Sequence, residues 1–254
     1  QLSHPYPENR EAAIRQRIAV EQLPAGGRVA RNEYLEQIDG LVYGDDPRQG
    51  YFKASRFVHP DLAVDLTFPA GWTTVNQRTV VAAVAPQEAA MLMMELVTDA
   101  AAPDVELREF LRQEGITAGP IRQDGSGQVE RVRADFDATT AAGVLSGEAA
   151  FLRYGGNVYR MLGYAAQANW RAHASPIASA ISSFRPLTDA AILAVQPWRL
   201  DIVTLPGATS LTTYVGRNPS PIPVEELARL NRVTPAEVLS AGTRIKRVVG
   251  SALP

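Results

Sequence analysis

The sequence has 254 residues, with 25 basic against 27 acidic side chains, three His and no Cys. At 46% apolar it can bury an ordinary core, and its length suggests roughly one to three domains. The near-zero charge gives no reason to expect nucleic-acid binding, and the lack of Cys excludes disulfides, Cys-ligated zinc, iron–sulfur clusters and thiol catalysis.

Residues 1–50 read as two helices and a loop. Ile14, Ile18 and several Ala recur at helical spacing over residues 8–22, and Leu23-Pro24-Ala25-Gly26-Gly27 stops that helix. Asn32 is an expected N-cap for a short helix carrying Tyr34, Leu35 and Ile38, with Gly40 at its C′ position. The Gly-, Asp- and Pro-rich stretch that follows predicts turns. Asp45 and Asp46 offer oxygen donors suited to calcium, but a capped turn is the expectation.

Residues 51–187 read as one α/β unit. Leu62, Val64, Leu66 and Phe68 alternate with Ala63, Asp65 and Thr67, which predicts a half-buried strand. Residues 79–85 and 91–97 are apolar and of strand length. Residues 104–114 predict an amphipathic helix with Val105, Leu107, Phe110 and Leu111 inward, ended by Gly115. Asp124-Gly125-Ser126-Gly127 is a hairpin signal, and it lacks the Lys and the strand–loop–helix setting of a phosphate loop. Strands are expected near 128–137, 143–153 and 156–164, with Gly155-Gly156-Asn157 turning between the last two. A closing helix over 169–184 would bury Trp170, Ile177, Ile181 and Phe184. This order predicts an α+β fold, a mostly antiparallel sheet with packed helices.

Residues 188–254 predict a small unit in the order strand (200–205), helix (209–217), helix (224–231) and strand (243–249). No apolar run approaches the roughly 18–20 residues of a membrane-spanning helix. The chain begins without Met or a signal peptide, so it is expected to be a piece of something longer.

Few residues carry chemistry. His4, His59 and His173 form no His-x-x-x-His pair, so no metal site is expected. Asp135 and Asp137 share a strand face, which permits a carboxylate dyad, although a solvated face explains them better.

His4-Pro5 followed by Arg10 at a helix start resembles the closing segment of HtpX-like and Oma-like zinc metallopeptidases. The resemblance implies an oxyanion-stabilising role for His4 and a supporting role for Arg10, in the intact parent only. The family's His-Glu-x-x-His helix and its downstream Glu ligand are absent here. The chain alone is therefore expected to bind no catalytic zinc and cleave no peptides. The segments Asp39-Gly40-Leu41-Val42-Tyr43-Gly44-Asp45-Asp46-Pro47, Phe57-Val58-His59-Pro60-Asp61 and Phe68-Pro69-Ala70-Gly71-Trp72 are similar to the tail of a bacterial subgroup of these enzymes.

With its Phe68–Trp72 turn, strand order and closing Ser182-Ser183-Phe184-Arg185-Pro186, the middle region resembles the PsbP-like α/β/α sandwich. The last region resembles a divergent LysM module, which implies an N-acetylglucosamine groove near Gly207, Thr209 and Asn231. Ala208, Ser210 and Ala241 depart from that pattern. The sequence thus divides into a helical peptidase remnant and linker (1–50), a PsbP-like domain (51–187) and a LysM-like domain (188–254). The implied protein is the non-catalytic C-terminal region of a periplasmic or envelope zinc metalloendopeptidase. Its expected partners are the parent's own catalytic domain, protein substrates and peptidoglycan. A peptidoglycan anchor and a stand-alone interaction scaffold are the alternatives.

Overall fold

The computed structural model describes residues 7–21, 30–125 and 127–253, and only the backbone of residues 7–11. The chain separates into two compact units between Asp39 and Gly40. The first holds α1 (Pro7–Val20) and α2 (Arg31–Ile38). The described side chains of α1 are all exposed, and Arg17 pairs with Glu21 one turn on at 2.6 Å. In α2, Leu35 is the buried residue. Asn32 lies inside the first turn instead of capping it, because the helix already starts at Arg31 behind Ala30.

The second unit opens with a 3-10 turn at Pro47–Gln49, where Asp46 accepts a hydrogen bond from the Arg48 backbone N–H at 3.0 Å. This is the capped turn expected of the Asp45-Asp46 pair. A four-stranded antiparallel sheet follows. Its members are β1 (Tyr51–Lys53), β2 (Arg56–His59), β3 (Val64–Thr67) and a short returning strand at Arg185–Pro186. The predicted half-buried strand is buried on both faces. Val64 and Leu66 face the main core, and Asp65 shares the face of Val58, which Leu187 and Ile192 cover.

The larger sheet is also antiparallel throughout. It contains β4 (Thr73–Asn76), β5 (Val80–Val84) and β6 (Ala90–Leu96). Next in sequence comes α3 (Pro103–Leu111), then β7 (Ile116–Ala118), β8 (Arg122–Gln123), β9 (Glu130–Thr140), β10 (Gly143–Tyr154) and β11 (Asn157–Ala166). The spatial order is β4-β5-β6-β11-β10-β9-β7, with β8 also on β9. Gly155 and Gly156, at φ 58° and 82°, make the two-residue turn that pairs Tyr154 with Asn157. Two positive φ angles in succession fit glycine and the right-handed strand twist.

Helix α3 packs on one face, with Leu107 among Val132, Ala134, Phe136, Ala149 and Phe151. Val105, expected inward, is exposed: Pro103 and Leu107, one turn apart, are the buried pair, and Val105 lies opposite them. The other face carries α4 (Gln167–Ser182), whose Ile177 and Ile181 are fully buried. α4 approaches β11 so closely that a Cβ at Gly163 would overlap the Ile177 methyl. The smaller sheet shares this side, since Phe57, Val64, Leu66 and Phe68 join the same core. The result is the expected α+β class, with helices and a second sheet layered on an antiparallel sheet.

After the returning strand, β12 (Arg185–Pro186), comes the one-turn helix α5 (Ala190–Leu193). The C-terminal part then runs β13 (Arg199–Thr204), β14 (Thr209–Ser210), α6 (Leu211–Arg217), α7 (Val224–Asn231), β15 (Val238–Leu239) and β16 (Arg244–Val249). β13 pairs antiparallel with β16, and β14 with β15. α6 starts two residues later than predicted because Ser210 Oγ caps it, accepting from the Thr213 N–H at 3.2 Å. Leu205, Leu211, Ile222, Leu227, Ile245 and Val248 form a separate core. Residues 40–43 run beside β13, with Gly40 N–H on Leu200 O at 2.9 Å and Tyr43 N–H on Trp198 O at 2.7 Å.

Candidate functional site

Helix α4 covers the large sheet mainly over β10 and β11. Toward β4–β6 the space beside the small sheet opens into a cleft of about 1150 Å³. Its floor is apolar. Phe52, Phe57 and Leu62 come from the small-sheet side, and Val81, Met94 and Tyr159 from the large sheet. The C-terminal part supplies the outer wall with Trp198, Ile222 and Glu226, and Tyr43 stands between.

Each wall is held by specific bonds. Asn76 Nδ2 donates to Gly50 O at 2.7 Å and so ties the large sheet's edge strand to the start of the small sheet. Gly50 is buried at φ 93°, and a side chain there would run into the Phe57 ring. Tyr43 Oη donates to Glu226 Oε1 at 2.6 Å. That bond, with burial second, raises the phenol's pKa above its ordinary value. Trp198 Nε1 donates to Ser251 O at 2.8 Å, which fixes the indole at the rim.

His59 lines the cleft, and its Nδ1 accepts from the Leu62 backbone N–H at 3.2 Å. Burial lowers its pKa, with Asp61 pulling the other way. The ring is therefore neutral near pH 7, and the Nδ1 contact places its proton on Nε2. Tyr159 is 1% exposed, and its hydroxyl is buried with it. Burial pushes that phenol up to about 12, against a smaller opposing pull from Asn157. Such a surface suits binding, with apolar bulk below and fixed polar groups around the mouth.

Of the predicted site residues, Gly207, Thr209 and Asn231 do not line this cleft. His4 lies outside the described residues, and of Arg10, in α1, only the backbone is described. Gly207 follows β13 with open space around it. Thr209 pairs with Leu239, and its hydroxyl donates to Ser210 O at 3.3 Å. Asn231 closes α7 by bridging to the last strand. Its Nδ2 donates to Leu227 O at 2.9 Å and Lys246 O at 2.7 Å, and its Oδ1 accepts from Lys246 N–H at 2.8 Å. That side chain is engaged in holding the unit together.

Asp135 and Asp137 do not form a dyad. Asp135 takes a two-pronged bond from Arg122, at 2.8 and 3.1 Å, and Asp137 accepts from Ser146 Oγ at 2.5 Å. Their neighbour Glu148 is buried, and burial raises its pKa despite Arg133 and Arg122. Among the described residues no group of three or more His, Asp and Glu is placed to hold a metal ion. Among the same residues no helix is long and apolar enough to cross a membrane.

No family model matches the chain, and no curated protein matches it. Solved structures do. The cyanobacterial PsbP protein CyanoP of Synechocystis is 14% identical, with 53% of this chain covering 94% of that one at a TM-score of 0.43. A Pseudomonas aeruginosa protein of unknown function, described as a putative regulator, is 16% identical (48% of this chain, 90% of that one, TM-score 0.36). LpqN of Mycobacterium tuberculosis, described as involved in cell envelope biogenesis, is 13% identical (63% of this chain, 98% of that one, TM-score 0.32). Likenesses at this level concern the fold and assign no ligand.

Proposed function

We propose that the chain is the non-catalytic docking region of an envelope zinc metalloendopeptidase, where it receives protein segments for the catalytic domain. The observation that carries the docking reading is the cleft, whose apolar floor lies between two sheets and whose outer wall comes from the C-terminal part. Clefts between packed bodies, apolar below and polar at the mouth, are common binding places. The parentage rests on the His4–Arg10 segment and on the Asp39–Pro47, Phe57–Asp61 and Phe68–Trp72 segments. On this reading the zinc chemistry would belong to the parent's catalytic domain, whose His-Glu-x-x-His helix the sequence lacks.

Titrating the isotope-labelled chain with an unfolded protein tests the docking reading. The Asn76 side-chain amide and the Trp198 indole should shift together, and unmoved signals at both refute docking in this cleft. The genomic frame preceding the Gln1 codon tests the parentage: a His-Glu-x-x-His helix with a later Glu is expected, and its absence refutes it.

The order β13-β14-α6-α7-β15-β16, in which two helices lie between the antiparallel pair β13 and β16, supports a second reading as a LysM-like peptidoglycan anchor. Because Asn231 is committed to Leu227 and Lys246, Gly207 and Thr209 would carry the glycan contact. Co-sedimentation of the full chain with purified peptidoglycan is the test. A chain left wholly in the supernatant counts against the anchor.

A further inference from the structure

The charges at the cleft mouth are unequal, and this narrows what the cleft can take. Its lining carries Asp45, Asp46, Glu95 and Glu226 against one arginine, Arg78. Glu95 is neutralised by Arg160 across β6 and β11. Among the described residues Asp46 accepts a backbone N–H and Glu226 the neutral Tyr43 hydroxyl, beside which Arg229 of α7 also stands. Three carboxylates thus face the lining guanidinium of Arg78, with Arg229 behind Tyr43, in a mouth that opens onto an apolar floor and keeps an acidic excess. An anionic head group would meet net repulsion there, and a cation net attraction. The Trp198 indole, fixed through Ser251 O, adds an aromatic surface of the kind that attracts cationic side chains. Beneath it, Phe52, Phe57, Leu62 and Met94 offer room for a bulky apolar group.

We propose that this cleft takes an extended peptide segment in which a large apolar side chain is flanked by Lys or Arg. The apolar side chain would sit on the Phe52–Met94 floor. The basic side chains would lie against Asp45, Asp46 and Glu226, one of them over Trp198. The proposal rests on the docking reading above and names the chemistry of its partner.

Fluorescence anisotropy on the full chain tests it with three labelled peptides of one length. One carries a Trp flanked by Arg, one has Glu in place of each Arg, and one has Ser in place of Trp. The first should bind, and the other two should bind at least tenfold more weakly. The triple variant Asp45→Asn, Asp46→Asn, Glu226→Gln should weaken the first peptide about tenfold, since exposed ion pairs contribute modestly each. That difference should fade between about 0.05 M and about 0.5 M salt. Thr79→Trp, an exposed change on the cleft lining, should weaken the first peptide and leave the far-ultraviolet dichroism and the urea midpoint in place.

Equal binding of the Arg and Glu peptides overturns the proposal, as does tighter binding of anionic lipid vesicles than of the Arg peptide. If the Glu peptide binds best and is still blocked by Thr79→Trp, the docking reading stands and this narrower proposal falls. If no peptide binds and an unfolded protein leaves Asn76 and Trp198 unmoved, both fall.

Discussion

Replacing Asp65 by Ala tests how the small sheet that walls the cleft is held. Asp65 is 3% exposed and accepts from Arg56 Nε and Nη2, each at 3.0 Å, and from Arg185 Nε at 2.9 Å. These bonds join β2, β3 and β12 on the face away from Phe57 and Leu66. Removing one partner of a buried ion pair costs about 3–5 kcal/mol. Arg56 and Arg185 are 33% and 61% exposed, so water recovers part of their solvation, which points to about 2–3 kcal/mol here. For a unit of this size that corresponds to a fall in Tm of roughly 5–10 °C. Burial alone would raise the pKa of the Asp65 carboxyl, but the bonds to Arg56 and Arg185 more than offset it and leave it lowered. A lowered carboxylate stabilises the fold above its unfolded pKa of about 4, and that contribution is lost as pH falls through the lower folded value. The gap between the parent chain and Asp65→Asn should therefore be constant from pH 7 to about pH 5 and shrink in stronger acid. Urea denaturation at pH 7 and calorimetry down the pH series measure both quantities. A loss below about 0.5 kcal/mol for Asp65→Ala, or a gap that ignores acid, would refute the reasoning.

Three further outcomes are expected. Glu148→Gln should change stability by no more than about 1 kcal/mol at pH 7, because burial already raises that carboxyl's pKa and disfavours its charge; a loss above about 3 kcal/mol in urea denaturation contradicts this. A raised carboxyl destabilises as pH climbs through its folded pKa, so this variant should also remove some of the decline in stability above the ordinary Glu range. Gly163→Ala should cost about 1–3 kcal/mol by forcing α4 off β11, and Ile177→Ala in the same chain should cost less than the two losses added. Asn231→Ala should cost about 2–3 kcal/mol through three lost hydrogen bonds, and it should leave any peptidoglycan co-sedimentation of the folded chain unchanged.

The sheet and its helices were readable where a local signal and the tertiary answer agree. The apolar runs at residues 79–85 and 91–97 became β5 and β6 almost unshifted, and the Gly155-Gly156 pair placed the turn between β10 and β11. Helix α7 matched its predicted span, because its apolar stripe and its acidic first turn both mark the same start. The pattern misled where a distant segment covers a face. Alternation around Asp65 predicts a solvated side, yet chain more than a hundred residues later returns with Arg185, Leu187 and Ile192 to bury it. Nothing near Asp65 in sequence signals that a guanidinium will arrive from there. Ser210 shows the smaller form of this error: a threonine start at 209 and a serine start at 210 look alike until the cap bond to Thr213 is seen.

The cleft was hidden for a related reason, because its parts are scattered through the chain. Tyr43, Asn76, Trp198 and Glu226 lie in a linker, an edge strand, the lead-in to β13 and helix α7. Tyr43 falls in the Asp39–Pro47 segment, but nothing there signals a cleft, and the other three each read alone as a surface or turn residue. Two features of the fold convene them. Residues 40–43 pair along β13, which brings Tyr43 within reach of Glu226. Asn76 at the free edge of the large sheet bonds Gly50 at the free edge of the small one, so the two sheets meet at their edges while α4 covers the large sheet over β10 and β11. An opening between sheet edges needs polar ties at its mouth and apolar residues within, which is the distribution observed. The chain's chemistry-bearing His and Asp residues drew attention in the sequence because they are rare or paired. The residues that shape a binding surface instead depend on where the chain returns, and that is set by the cores on either side.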